Sequence, residues 1–271
     1  MTSRSSRWTQ QALLWLIIGI LLLPFIPLLI WSGSQGWYFP QVWPSQWSGQ
    51  GWQAILSGTA KVGSGLLNSL GIAAATTGLG LLIGIPAGRA LGLMDFAGKG
   101  ILRLMLLLPI CVSPLATLMG IQFILIRLRL SGSLLGVILV HLIPVIPYMV
   151  LVLSSVFAHF DQDYEHQART LGASVWQVWR HVTLPLIAPG VVVAALFAFL
   201  ISWNEFLLTF FVGGSRVLTL PMVLYTSLQG GNTSLMAAIA ITSLLPGLFF
   251  WFFVNGVLQD ERAALGGWGD V

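Results

Sequence analysis

The sequence predicts an all-α, polytopic membrane protein with about six transmembrane helices and one large polar loop. Three observations predict it. Of 271 residues, 56% are hydrophobic and only 7% are charged, too few charges to cover a soluble domain of this length. Mean hydropathy is +0.89. Apolar runs recur that reach the roughly 20 residues needed to cross about 30 Å of hydrocarbon.

The first run covers 12–31, after the polar start MTSRSSRWTQQ. A signal peptide has a short apolar core and a small-residue cleavage site. This run is longer, and Trp31-Ser-Gly-Ser-Gln is a poor cleavage site, so a retained span is expected. Residues 32–65 carry Trp37, Trp43, Trp47 and Trp52 with Pro40 and Pro44 between them. Tryptophan favours the membrane–water interface, so this loop reads as an interfacial cap, a docking surface, or both. The second span, 66–93, is crowded with Gly, Ala and Thr, which let helix backbones approach closely inside a bundle. Further spans are expected at 101–126, 134–157, 188–212 and 234–258. Pro24, Pro86, Pro109, Pro114, Pro144, Pro147 and Pro246 interrupt them. Membrane helices tolerate proline where neighbours satisfy the freed carbonyls. Between the last two spans, GGSRVLTLPMVLYTSLQGGNTS reads as a short element dipping against the bundle. The whole chain, 1–271, reads as one membrane domain, with a short tail ending it.

Orientation follows from Lys and Arg near the spans. With the N-terminus in the cytoplasm, Arg4, Arg7, Arg89, Lys99, Arg103, Arg169, Arg180 and Arg262 fall inside. Lys61, Arg127, Arg129 and Arg216 fall outside. Both termini are therefore expected in the cytoplasm.

Several function classes lose support. A single cysteine, Cys111, allows no disulfide or Cys-based metal site, and four scattered histidines disfavour zinc chemistry, so no metal site is expected. The twelve basic residues are dispersed, which argues against nucleic acid as a partner. Gly98-Lys99 continues into glycine, so the chain has no phosphate-cradling P-loop. No nucleophile–base pair or paired intramembrane carboxylates mark an enzyme.

The polar segment 158–187, between the fourth and fifth spans, is the informative exception. Asp161 and Asp163 suit a helix N-terminus. Ala168, Leu171, Val175, Val178, Trp179 and Val182 recur at helical spacing, giving one apolar stripe. Gly172 permits a bend or a close backbone approach, and Leu184-Pro185 is expected to end the helix. Such a segment either lies flat on lipid or inserts into a cleft on a partner.

Its sequence, ARTLGASVWQVWRHVTLPLIAPG, resembles the EAA loop of inner-membrane permeases from binding-protein-dependent ABC importers. Ala168, Leu171, Gly172, Ala173, Leu184, Pro185, Pro189 and Gly190 match that pattern. His166-Gln167 replaces its Glu-Ala, and Glu165 stands one residue earlier. The glutamate's contact is therefore either missing or supplied by Glu165. NSLGIA, SWNEFLLTFF and TLPMVLYTSL extend the similarity over about 12–258.

The resemblance implies a permease subunit that pairs with a second, homologous permease. Two ATPase subunits would bind ATP and Mg, so this chain would hold no cofactor. An external binding protein, periplasmic or extracellular, would deliver the solute. Glu165, His166, Gln167, Ala168, Arg169, Leu171, Gly172, Ala173, Trp176, Leu184 and Pro185 would form the coupling helix seated in the ATPase. The run from Ser202 to Leu228 is most similar to polyamine-type members, with sugar-type members as the alternative.

Glu205 is the acidic residue within a span, where a carboxylate costs a few kcal/mol and should face the bundle interior or water. Ala198, Ser202, Glu205 and Thr209 lie at helical steps, with Asn204 beside them. This stripe either lines a path or holds helices together through a basic partner of Glu205. His141 reads as a hydrogen-bonded packing residue. Asn68, Ser69, Thr76 and Thr77 read as path residues or interhelical hydrogen-bonders. An ion-coupled carrier is the competing function class, with Glu205 as its thin support.

Overall fold

The computed structural model describes residues 4–37, 40–41 and 43–266; residues 267–271 of the expected tail lie outside the described residues, as do the side chains of Arg4, Arg7 and Arg262. Helices make up 77% of the structure with almost no strand, so the chain is all-α. Among the described residues, four helices are long and apolar enough to cross a membrane: Val62–Leu93, Leu134–Ala158, Val175–Trp203 and Thr233–Phe250. A bent pair makes a fifth candidate span.

The chain groups into two compact units. One comprises Met1–Gly65 with Met222–Leu245. Within it, α1 (Arg4–Leu22) and α2 (Phe25–Ser32) lie where the first span is expected and meet at a bend of 42°. Pro24 stands at the bend and has no N–H to continue the ladder. The tryptophan-rich loop is folded. Strands β1 (Ser34–Gln35) and β2 (Gln46–Trp47) pair antiparallel, the Trp31 and Trp37 rings lie 5.8 Å apart, and Trp47 stacks over Gly33. Helix α3 (Gln50–Leu56) rides on the last helix so closely that a Cβ on Gly51 would lie 2.6 Å from the Ser234 carbonyl oxygen. Trp43 and Trp47 remain exposed.

The other unit comprises Leu66–Pro221 with Pro246–Val271. Helix α4 (Val62–Leu93) supplies the small-residue surface that the sequence predicts, with a period of four. Gly80, Gly84, Gly88 and Gly92 all face Val145–Ala158. A Cβ on Gly88 would sit 2.6 Å from the Leu153 Cβ, and one on Gly92 2.8 Å from the Ser154 carbonyl oxygen. Backbones meet there because nothing larger than hydrogen fits.

The expected span 101–126 is two helices. They are α5 (Lys99–Cys111) and α6 (Pro114–Arg127), of 13 and 14 residues. Ser113 precedes a proline, which pushes it to extended geometry, and Val112 is extended as well. Helix α7 (Leu134–Ala158) is capped by Ser133 and contributes Val137, Val140, Val145, Met149 and Leu153 to the buried apolar clusters.

The polar segment forms α8 (Asp163–Thr170) and α9 (Val175–Val178). It then runs through a π-helical turn (Trp179–Thr183) straight into α10 (Leu184–Trp203). Leu184-Pro185 therefore does not end the helix. Leu184 is helical at φ −61, ψ −45, and Pro185 occupies the first turn of α10, where a missing N–H costs least. The expected span 188–212 stops at Trp203 and restarts as α11 (Leu207–Gly213).

Helix α12 (Leu220–Gln229) is the short element expected between the last spans, and α13 (Thr233–Gly266) is the last helix. Asn68 Nδ2 donates to the Leu218 carbonyl at 2.8 Å, and Ser69 Oγ accepts from the Leu220 N–H at 2.9 Å. Those two α4 side chains hold the entry to α12. The Thr76 and Thr77 hydroxyls have no hydrogen-bond partner among the described residues.

Candidate functional site

Two places concentrate polar chemistry, and both belong to the same compact unit. The first is the turn between α8 and α9. Gly172 adopts φ +88, donates to the Arg169 carbonyl at 3.0 Å, and is followed by Ala173 donating to Ala168 at 3.1 Å. That pair closes α8 in a Schellman motif, which needs a left-handed residue. Two residues on, Ser174 opens α9 with a capping box: its Oγ accepts from the Gln177 N–H, and Gln177 Oε1 accepts from the Ser174 N–H at 2.8 Å. Gly172 is thus the bend.

The bend splits the expected apolar stripe. Val178 is buried, and Trp179 and Val182 are half-buried, facing inward. Leu171, Val175 and Trp176 point to solvent, with 88%, 70% and 66% of their surface exposed. Ala168 and Ala173 are half-buried, while His166, Gln167, Arg169, Leu184 and Pro185 are exposed. His166 Nδ1 lies 3.7 Å from Asp163. A stripe cannot remain on one face when the chain bends between its second and third members, Leu171 and Val175.

Glu165 is not on the outer surface. It is buried, and its carboxylate accepts from Arg89 Nη1 at 2.8 Å and Nη2 at 2.7 Å, a bidentate pair. Thr183 Oγ1 donates to the same carboxylate at 2.6 Å. The Arg89 guanidinium lies 5.9 Å from both the Phe157 and Trp179 ring centres. Arg89 and the Thr183 hydroxyl hold the Glu165 carboxyl below its ordinary value against the opposing effect of burial. A cleft of about 540 Å³ opens beside the pair, lined by Arg169, Val175, Trp176 and Trp179 among others.

The second place is the break between α10 and α11. His141, buried in α7, bridges it: Nδ1 is 2.8 Å from Ser202 Oγ and Nε2 is 2.9 Å from Thr209 Oγ1. Thr209 also donates to the Glu205 carbonyl at 3.2 Å. Its single proton being used there, the network places the imidazole proton on Nε2 and lets Nδ1 accept from Ser202. Asn204 Nδ2 returns to the Leu200 carbonyl at 2.9 Å. Glu205 Oε1 accepts the Leu208 N–H at 3.1 Å and so caps α11. No cation lies within ion-pair distance of Glu205 among the described residues. It borders a small cavity of about 60 Å³ with Pro109, Thr117, Ile143, Pro144 and Leu208.

The expected stripe Ala198–Ser202–Glu205–Thr209 is therefore not one helix face. Ala198, Ser202 and Thr209 are buried, with both hydroxyls on His141, and Glu205 stands in the break.

Residues 80–261 match the model of the family described as binding-protein-dependent transport system inner membrane component. The chain belongs to that family: it is a permease subunit of an ABC importer. The permease is 34% identical to the molybdenum transport system permease protein ModB of Mycobacterium bovis over 75% of this chain and 79% of the relative. It is 31% identical to the trehalose transport system permease protein SugB of Mycobacterium tuberculosis over 69% and 70%. It is 26% identical to the putrescine transport system permease protein PotI of Escherichia coli over 83% and 79%. A bacterial ABC transporter involved in the import of the acidic polysaccharide alginate shares its fold, with a TM-score of 0.71 at 17% identity, covering 94% and 98% of the two chains. The permease is a multi-pass inner-membrane protein and a transport subunit, not an enzyme. Members of the family work with an ATPase and a solute-binding protein.

Sequence reasoning did not find Arg89, Thr183 or Trp179 as site residues. Arg89 entered it only as a topology marker. The signal lay in its position: a guanidinium four residues inside the end of a 32-residue apolar helix needs a counter-charge, and Glu165 is the acid within reach.

Proposed function

We propose that the whole chain acts as one permease domain, with both termini in the cytoplasm, and that its α8–α9 turn is the EAA coupling helix. One observation carries the reading. Leu171, Val175 and Trp176 are exposed apolar residues around the Gly172 bend, and the last two begin a segment that runs without interruption from Val175 to Trp203 and stops at the Glu205 break. These residues seat in a groove of a cytoplasmic ATPase subunit. Two such subunits bind the ATP and Mg, and a second, homologous permease completes the path. A binding protein delivers the solute on the other side. ATP-driven closure pulls the turn, and the rigid helix carries the displacement to the break.

Glu205, with Asn204 beside it, is the point of contact with solute or gate. A carboxylate with a single backbone hydrogen bond and no counter-ion among the described residues suits a ligand with cationic or hydrogen-donating groups, so the solute is a small polar one of polyamine type. The test is reconstitution with the ATPase and binding protein. Leu171→Asp/Trp176→Asp should abolish ATPase co-purification, whereas retention would remove the coupling assignment. Glu205→Gln should lower uptake of a di- or polyamine; unchanged uptake, or a preference for sugar, would overturn the solute class. ATP-independent uptake by the chain alone would establish an ion-coupled carrier instead.

A further inference from the structure

We propose that the Arg89–Glu165 pair is a strut through which the coupling turn drives α4 as well as α10. The proposal rests on the coupling assignment above and adds a second route for the displacement. Three stretches distant in sequence meet at the Glu165 carboxylate: the last turns of α4 through Arg89, α8 itself, and the π-helical turn through Thr183. Both carboxylate oxygens are engaged, at 2.7 and 2.8 Å by Arg89. The Glu165 side chain is 6% exposed, so water competes poorly for those bonds. A rigid bidentate fork transmits direction as well as distance, which a single flexible contact does not.

The rest of α4 is built to accept such a push. Above Arg89 its contact surface on α7 is the row Gly80, Gly84 and Gly88, with Gly92 just beyond, and no side chain projects from that row. The side chains that meet the row come from Val145, Met149, Leu153 and Phe157 of α7, and Leu81 and Ile85 of α4 pack against the same apolar cluster. Along the glycine row the two backbones meet with no α4 side chain between them, so a displacement of α4 takes the form of a small shear of packed helices. Further along the same helix, Asn68 and Ser69 hold the backbone at Leu218 and Leu220. A shift of α4 therefore reaches the segment before α12 without passing through α10. Arg89 and Thr183 touch neither solute nor nucleotide in this scheme. They are positioning residues.

The experiment uses the complete transporter in proteoliposomes and reads the ratio of solute moved to ATP hydrolysed, well below the melting temperature. Arg89→Lys and Thr183→Ala keep most of the packing and are the primary variants; Glu165→Gln and Arg89→Gln follow, singly and together. With ATPase still co-purifying, the ratio is expected to fall about tenfold in Glu165→Gln and Arg89→Gln, and less in the milder pair. The double variant should be no worse than either single one, because the two residues act as one unit. A merely structural role would lower the yield of folded protein and leave the ratio of what folds unchanged, which would overturn the strut. Additive losses in the double variant would overturn it too. Should the unaltered permease fail to bring down its ATPase, the coupling assignment itself falls and takes the strut with it; intact assembly with normal ratios in every variant removes the strut alone.

Discussion

Glu165 and Glu205 flank the same helical run, and their surroundings are the reverse of what their sequence contexts imply. Glu165 lies in the most polar stretch of the chain, yet it is buried and takes three hydrogen bonds from Arg89 and Thr183. Glu205 lies among apolar residues, yet it takes only the Leu208 backbone N–H and has no counter-ion among the described residues. A charge is tolerated away from water when it is paired and fully hydrogen-bonded. Glu165 meets that condition. Glu205 escapes it by standing where the helix is broken, half-buried beside a small cavity. The first carboxylate is committed to holding the protein together, and the second retains acceptor capacity for something else.

Removal of each carboxylate separates the two roles most sharply. Glu165→Ala leaves the Arg89 guanidinium unpaired between Phe157 and Trp179, and should destabilise by about 3 kcal/mol, the low end for a broken buried pair because Arg89 is 31% exposed. Next in size is His141→Ala, which strips the brace from the α10–α11 break, strands the Ser202 hydroxyl and leaves Thr209 only its bond to the Glu205 carbonyl, at a cost of about 2 kcal/mol. Glu205→Ala removes only a helix cap and should cost about 1 kcal/mol. Thermal unfolding of the three variants in one detergent checks the order. An equal loss at Glu165 and Glu205 would erase the distinction, and a larger loss at Glu205 than at His141 would mean that the carboxylate, not the imidazole, holds the break.

The membrane class, the bend at Gly172 and the small-residue face of α4 were legible in the sequence, because each follows from composition or local backbone chemistry. The helix breaks were only partly legible. Pro114 announces the α5–α6 break through Ser113, but no proline stands at 204–206, where His141 from another helix satisfies the side chains on both sides. Pro185 misled in the opposite direction, since a proline that follows a π-helical turn can sit in the first turn of the next helix. That Arg89 needs a counter-charge was legible from its place inside an apolar helix, but that Glu165 supplies it was not. Periodicity describes one helix at a time, and Arg89 lies 76 residues away. The stripe of 168–182 failed for a related reason: a bend was one of two readings that Gly172 allowed, and its effect on which residues face outward needs the geometry of the turn.

The smallest expected effect comes from mild acid, and it tests whether the first carboxylate is as firmly held as its contacts imply. Arg89 and the Thr183 hydroxyl keep the folded-state value of Glu165 below the ordinary 4.5. A carboxyl depressed on folding contributes stability that is fully present above its unfolded value and is lost as pH falls through the folded one. Between pH 7 and about pH 5 the α8–α9 turn should therefore stay docked, with Trp179 fluorescence and amide-exchange protection of α8 unchanged. Release should begin only below the ordinary carboxylate range, and Glu165→Gln, which has no carboxylate to protonate, should remove that acid step. Loss of protection already near pH 6 in the unaltered protein would mean that the pair is open to water, and the contrast with Glu205 would then rest on geometry without the energetics behind it.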